Sequence, residues 1–190
     1  MFLNTCCITP FMAKNSRKQI MLDEILIVDQ LSRNANKSIN EIAKSCGFSR
    51  QKVWRIIKNL EKNNTIWGYS SIIDEEKQNK KTYIVLIKRS ARPLNKELIE
   101  KITRREISKK AGRIGVKILT SIYTNGAYDW LIHFNASNIR DAKRFVEDLN
   151  KTFEGYLNEI TLLEKMFVTE NCGIENPEIN KLKDFFPDIT

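Results

Sequence analysis

The chain has 190 residues, of which 42% are hydrophobic, and a formal net charge of +9; that much apolar material builds one large core or two small ones and excludes disorder throughout. Thirty-two basic against 23 acidic residues favour an acidic partner, nucleic acid or an anionic membrane surface, without choosing between them. Cys6, Cys7, Cys46 and Cys172 form neither a CxxC pair nor a ligand set with the single His133, so no metal, no cofactor and no disulfide framework is expected, and the expected setting is the reducing cytoplasm.

The start, "MFLNTCCITPFMAKNSRK", lacks the basic n-region and long apolar run of a secretory signal, and nothing later approaches the roughly 20 apolar residues of a membrane span. Residues 1–20 read as a flexible arm, with Met12 and Met21 as alternative translation starts. From there to Asn64 the apolar spacing is helical. Leu22, Ile25, Leu26, Val28 and Leu31 make a first helix that can complete a three-helix core. Ser38-Ile-Asn-Glu41 is a capping box in which the serine hydroxyl and glutamate carboxylate satisfy each other's backbone amides, so a second helix begins there. Gly47 permits a left-handed turn, Phe48 enters the core, and Ser49 caps a third helix.

In that third helix Val53, Ile56, Ile57 and Leu60 stand at i, i+3, i+4 and i+7, which buries one side and leaves Arg50, Gln51, Trp54, Arg55 and Lys58 directed away. Near the amino end of a helix lying in a major groove, Arg pairs bidentately with guanine and Gln with adenine. Ser49, Arg50, Gln51 and Trp54 occupy that end; Arg55 and Lys58, a turn later, suit phosphates. Charges on a surface helix are ordinarily just solvated, but a capped short helix, a glycine turn and a longer basic helix coincide here and point to double-stranded DNA. "TIWGYSSIID" (65–74) reads as an extended segment or wing, with Trp67 and Tyr69 as packing residues. The reader thus covers 21–73, and "DEEKQNKK" (74–81), without an apolar residue, reads as a linker.

Beyond it the periodicity changes. Expected are a strand over 82–89, a helix over 95–110, a strand over 116–124, a turn at Asn125-Gly126, a strand over 128–135, a helix over 138–153 and a strand over 157–169. This is βαββαβ, the ferredoxin-like order, over 82–170, followed by a tail of 171–190. Asn-Gly predicts a tight type I′ turn. Tyr83, Val85 and Ile87 alternate with Ile84 and Leu86, so both sheet faces are apolar; two helices cover only one, and a homodimer or higher oligomer is expected through the other. The class is α+β, a winged helix-turn-helix followed by a ferredoxin-like domain.

From "LDEILIVDQL" through "GYSSIID", and again at "TNGAYDWLIHF", the sequence resembles the Lrp/AsnC family of transcription regulators, over about residues 21–169. The resemblance implies a sensing domain that oligomerises and binds an amino acid or related small molecule, with Gly126, Tyr128 and Asp129 at the effector-side hairpin; turn geometry is the competing explanation for Gly126, and backbone bonding for Asp129. Asn64 replaces the usual Gly after the reading helix and also tolerates the left-handed conformation. "KITRREISKKAGRIG" (101–115) is unusually basic; it widens a DNA footprint, binds an acidic ligand or is merely solvated. The rival function is enzymatic, since siroheme decarboxylases resemble the same two-domain family, but a lone strand histidine is weak support for catalysis. No GxxxxGK, GxGxxG or HExxH pattern occurs.

Overall fold

Two units divide the computed structural model, which describes residues 16–186. One holds residues 16–71 together with 170–176; the other holds 72–169 together with 177–186. Among the described residues no helix is long and apolar enough to cross a membrane.

In the first unit α1 (Arg17–Arg33) starts behind Ser16, whose hydroxyl accepts the Gln19 amide at 3.2 Å. The arm expected over 1–20 is therefore helical from Arg17 onward, because Ser16 supplies a cap and the Gln19 side chain bonds Asp23 one turn later; residues 1–15 lie outside the described residues. The capping box forms as expected: Ser38 Oγ accepts the Glu41 amide at 3.2 Å, and Glu41 Oε2 accepts the Ser38 amide at 2.7 Å. It opens α2 (Ile39–Cys46), which ends on Gly47 at φ +67°. Ser49 then caps α3 (Arg50–Lys62). Ile27, Ile42, Val53, Ile56 and Leu60 close a three-helix core, each burial contributing about 1.5–3 kcal/mol before entropic costs. From α1, Val28 and Leu31 pack against it as expected, but Leu22, Ile25 and Leu26 are exposed, because α1 turns the Asp23–Ile27 side inward. Asn64 does take the left-handed conformation, φ +56°, and residues 67–74 follow without helix or strand.

The second unit contains β1 (Lys81–Arg89), α4 (Lys96–Thr103), α5 (Glu106–Arg113), β2 (Lys117–Tyr123), β3 (Trp130–Ala136), α6 (Ile139–Thr152) and β4 (Leu157–Glu164). The sheet order is β2-β3-β1-β4, antiparallel throughout, the expected ferredoxin-like arrangement. The stretch 74–81 carries a 3-10 turn at Glu76–Gln78 and is tied into this unit by Glu75–Lys165 at 3.4 Å and Lys80–Ser137 at 2.8 Å.

The single helix expected over 95–110 is two, and the reason is phase. Leu98 and Ile102 share one stripe, whereas Ile107, Ala111 and Ile114 would fall roughly 180° away on a continuous 3.6-residue helix. Both stripes join the same core. A left-handed residue, Arg105 at φ +56°, resets the phase between them, at about 1–2 kcal/mol for a side chain in that region.

The Asn125-Gly126 turn also differs. Neither residue has a positive φ, and Tyr123 pairs with Trp130 across a six-residue loop, 124–129. Asp129 causes this by serving β1: its amide donates to Ile87 O at 2.9 Å and its Oδ2 accepts the Arg89 amide at 2.7 Å. A two-residue type I′-like turn does occur at Cys172-Gly173, φ +50° and +75°, between β5 (Glu170–Asn171) and β6 (Ile174–Glu175), which group with the first unit.

Tyr83, Val85, Ile87, Ile132 and Phe134 are fully buried under the helices. On the opposite face Ile84, Leu86 and Leu131 are half-buried while Ile122 and Leu163 are exposed, so both faces are apolar, as the alternation predicts. The tail, read as 171–190, divides: 171–176 group with the first unit and 177–186 with the second, where Phe185 packs on Phe167 with ring centroids 5.8 Å apart.

Candidate nucleic-acid interface

Ser49 leaves the helix-turn-helix turn extended, φ −72° and ψ 149°, and its Oγ accepts the Lys52 amide at 3.2 Å. This fixes where α3 begins, and thereby which side chains lead it. Val53, Ile56, Ile57 and Leu60 are buried. Ser49, Arg50, Gln51, Trp54, Arg55 and Lys58 are all exposed; from Arg50 to Arg55 and Lys58 they sweep an arc of roughly 140° at 100° per residue. One face of one helix thus gathers a hydroxyl, an amide, three cations and an indole. Trp54 is 53% exposed, which sets it apart from the core aromatics and leaves its ring edge available to a partner.

The helix is locked by a group that sequence reading left unassigned. Lys52 Nζ turns back from the arc to Asp23 Oδ2 on α1 at 2.7 Å and lies 3.8 Å over the Phe48 ring. Asp23 is 2% exposed, and its other oxygen accepts Gln19 Nε2 at 3.0 Å. The bond from Lys52, followed by that from Gln19, holds this carboxyl below the usual aspartate range against the opposing pull of burial. The signal was present in the sequence: Asp23 stands four residues before buried Ile27, on the face α1 turns inward, and a carboxylate there requires a cation.

Lys58, expected on phosphate, is 2.7 Å from Glu61 Oε2, and Tyr69 OH donates to Glu61 Oε1 at 3.1 Å. These two bonds, Lys58 first, lower the Glu61 pKa. The i,i+3 carboxylate partly neutralises this cation, leaving Arg50 and Arg55 as the strongest positive charges of the arc. Trp67, read as a packing residue, is 94% exposed, because residues 67–74 leave the core rather than fold back on it.

In the second unit the loop 124–129 is closed by the Thr124 amide donating to Asp129 O at 2.9 Å and Thr124 Oγ1 donating to Tyr128 O at 2.5 Å. Gly126 is exposed, and an added Cβ would meet nothing within 4 Å. Arg89 Nε is buried and has no hydrogen-bond partner among the described residues.

Residues 24–66 match the family model described as winged helix-turn-helix DNA-binding. No curated protein matches the chain. Among solved structures, the crystal structure of PH0061 is similar over 84% of this chain and 98% of its own, at 22% identity and a TM-score of 0.64. An AsnC family transcriptional regulator from Agrobacterium tumefaciens is similar over 78% of this chain and 92% of its own, at 18% identity and a TM-score of 0.58. The fold is that of the AsnC-type regulators. A further structure of that fold, a transcriptional regulator from Neisseria meningitidis in complex with L-methionine, covers 83% of this chain and 94% of its own, at 14% identity and a TM-score of 0.59.

Within the AsnC-type fold the residues named for DNA stand together on α3, and those named for an effector stand together on the 124–129 loop. The two expectations for that loop fare differently. The turn does not explain Gly126, whose φ is not positive. Backbone bonding does account for one Asp129 oxygen, although the backbone it bonds belongs to β1 rather than to the hairpin.

Proposed function

We propose that the chain is a sequence-specific, DNA-binding transcription regulator of the AsnC type, acting without catalysis. The observation that carries this is the exposed arc of α3, where Arg50 and Gln51 lead a helix whose opposite face seals a core. Paired through the open sheet face around Leu86 and Leu131, two copies set their α3 helices in successive major grooves, about 34 Å apart on one side of the duplex. The operator is then near-palindromic.

An amino acid or related small molecule bound at Gly126, Tyr128 and Asp129 modulates this regulator. Three things support that reading: a transcriptional regulator of similar fold crystallises with L-methionine, Gly126 has no backbone need to be glycine, and the unpartnered Arg89 Nε lies in the residue whose amide Asp129 binds. A ligand carboxylate satisfies such a donor. Coupling to DNA requires different ligand affinity in two states of the oligomer. The decarboxylase reading lacks comparable support, since His133 is half-buried on the sheet, its basicity lowered by burial and then by Lys165, and the similar structures named above that carry a function are transcription regulators.

Footprinting on the DNA upstream of the chain's own gene, with and without a panel of amino acids, tests both parts. Arg50→Ala is expected to cost about 1–3 kcal/mol and relax base preference, whereas Lys58→Ala weakens all sequences alike. Equal effects of the two changes on every duplex would remove the distinction between reading and positioning.

A further inference from the structure

Seven basic residues and one acidic residue occupy positions 101–117, and the helix break at Arg105 decides where they go. Resetting the phase turns both apolar stripes of α4 and α5 inward, so the cations are left on the outer side of the second unit. There Lys101 from α4, Lys110 and Arg113 from α5 and Lys151 from α6 converge on one open cleft of about 570 Å³, together with Ile114 and Asp148. Lys101 is engaged by Glu97. Lys110, Arg113 and Lys151 are exposed and have no carboxylate partner among the described residues.

Two helices, α5 and α6, bringing three unpaired cations to one concavity costs stability through like-charge repulsion, which an anionic occupant relieves. The lining also says what kind of anion. It holds no aromatic ring on which a base could stack, its one carboxylate disfavours a compact polyanion seated deep at Asp148, and its openness suits an extended chain of phosphates. Duplex DNA, already brought to this chain by α3, is such a chain.

We propose that the cleft between α4, α5 and α6 is a second, sequence-independent DNA-binding surface, which takes the phosphate backbone of duplex DNA through Lys110, Arg113 and Lys151. It rests on the reading of the chain as a DNA-binding regulator for its partner, though not for its geometry. The surface adds affinity and salt dependence and no base preference.

The test is the salt dependence of binding to a random-sequence 60-base-pair duplex, using the full chain. The triple variant Lys110→Gln/Arg113→Gln/Lys151→Gln is expected to flatten the slope of log K against log salt by about 2–3 units, at roughly 0.9 per phosphate contact. Lys151→Gln alone flattens it by about 1, which keeps the result readable should the triple variant fold poorly by circular dichroism. Arg50→Ala/Arg55→Ala, in the α3 arc, separates the two readings: flattening by the cleft variants alone supports the cleft and counts against the reader, whereas flattening by the α3 variant alone overturns the cleft. Loss of inorganic tripolyphosphate binding in the cleft variants with an unchanged duplex slope also overturns it, in favour of a small phosphorylated ligand.

Discussion

Replacing Asp23 by alanine removes the acceptor that fixes the reading helix to α1. The carboxylate is 2% exposed and takes Lys52 Nζ at 2.7 Å and Gln19 Nε2 at 3.0 Å. A hydrogen bond to a charged group contributes about 1.5–3 kcal/mol, and stranding a buried partner charge costs about 3–5 kcal/mol. The Lys52 side chain keeps 25% exposure, so it rehydrates once freed and the lower figures apply, giving about 2 kcal/mol for the change. The pH dependence carries a sign. Lys52 and Gln19 lower the folded pKa of Asp23 below its unfolded value, so its contribution is complete above about pH 4 and is lost as pH falls through the folded pKa. The difference between wild type and variant is therefore flat from about pH 5 to 8 and shrinks in acid. Because the chain has two units, a single melting curve mixes them; hydrogen exchange resolved over Arg17–Arg33 and Arg50–Lys62 reads the first unit alone. About 2 kcal/mol corresponds to roughly thirty-fold faster exchange there at pH 7. Unchanged exchange in both helices, or a difference that persists undiminished to pH 2, would refute this account of what holds α3.

Glu61→Gln removes the carboxylate that holds Lys58, and freeing one cation on the reading face should steepen the salt dependence of duplex binding by about 1; a salt titration showing no change would mean that Lys58 never meets phosphate. Tyr83→Phe deletes a fully buried hydroxyl that lacks a hydrogen-bond partner among the described residues. The second unit should then unfold at an unchanged or higher temperature, with a gain of up to about 1 kcal/mol, and a loss of that size would show that the hydroxyl is satisfied in solution.

The reader was legible because its determinants are local. The Ser38–Glu41 box, Gly47 and the Ser49 cap each act within four residues of themselves, and the Val53–Leu60 stripe needs only helical periodicity to define an inside and an outside. Asn64 likewise adopts the conformation its residue type tolerates. The 124–129 loop was not legible in the same way. Asn125-Gly126 favours a tight turn in isolation, but Asp129 is bonded to β1, a strand 40 residues earlier in the chain, and that non-local demand sets the loop length. Lys52 was missed for a related reason: it reads as one more cation on a basic helix until Asp23 is brought beside it.

Sequence alone thus determined the four strands of the main sheet, the amino-terminal helix-turn-helix, the outward face of α3 and the two apolar faces of the sheet, because residue spacing and capping are short-range properties. Tertiary structure alone decided which cation is held internally, as Lys52 is by Asp23 of another helix, and which converge, as Lys110, Arg113 and Lys151 do across two helices. Charge acts through space at a few ångströms, so what a cation does depends on neighbours that the linear order does not name.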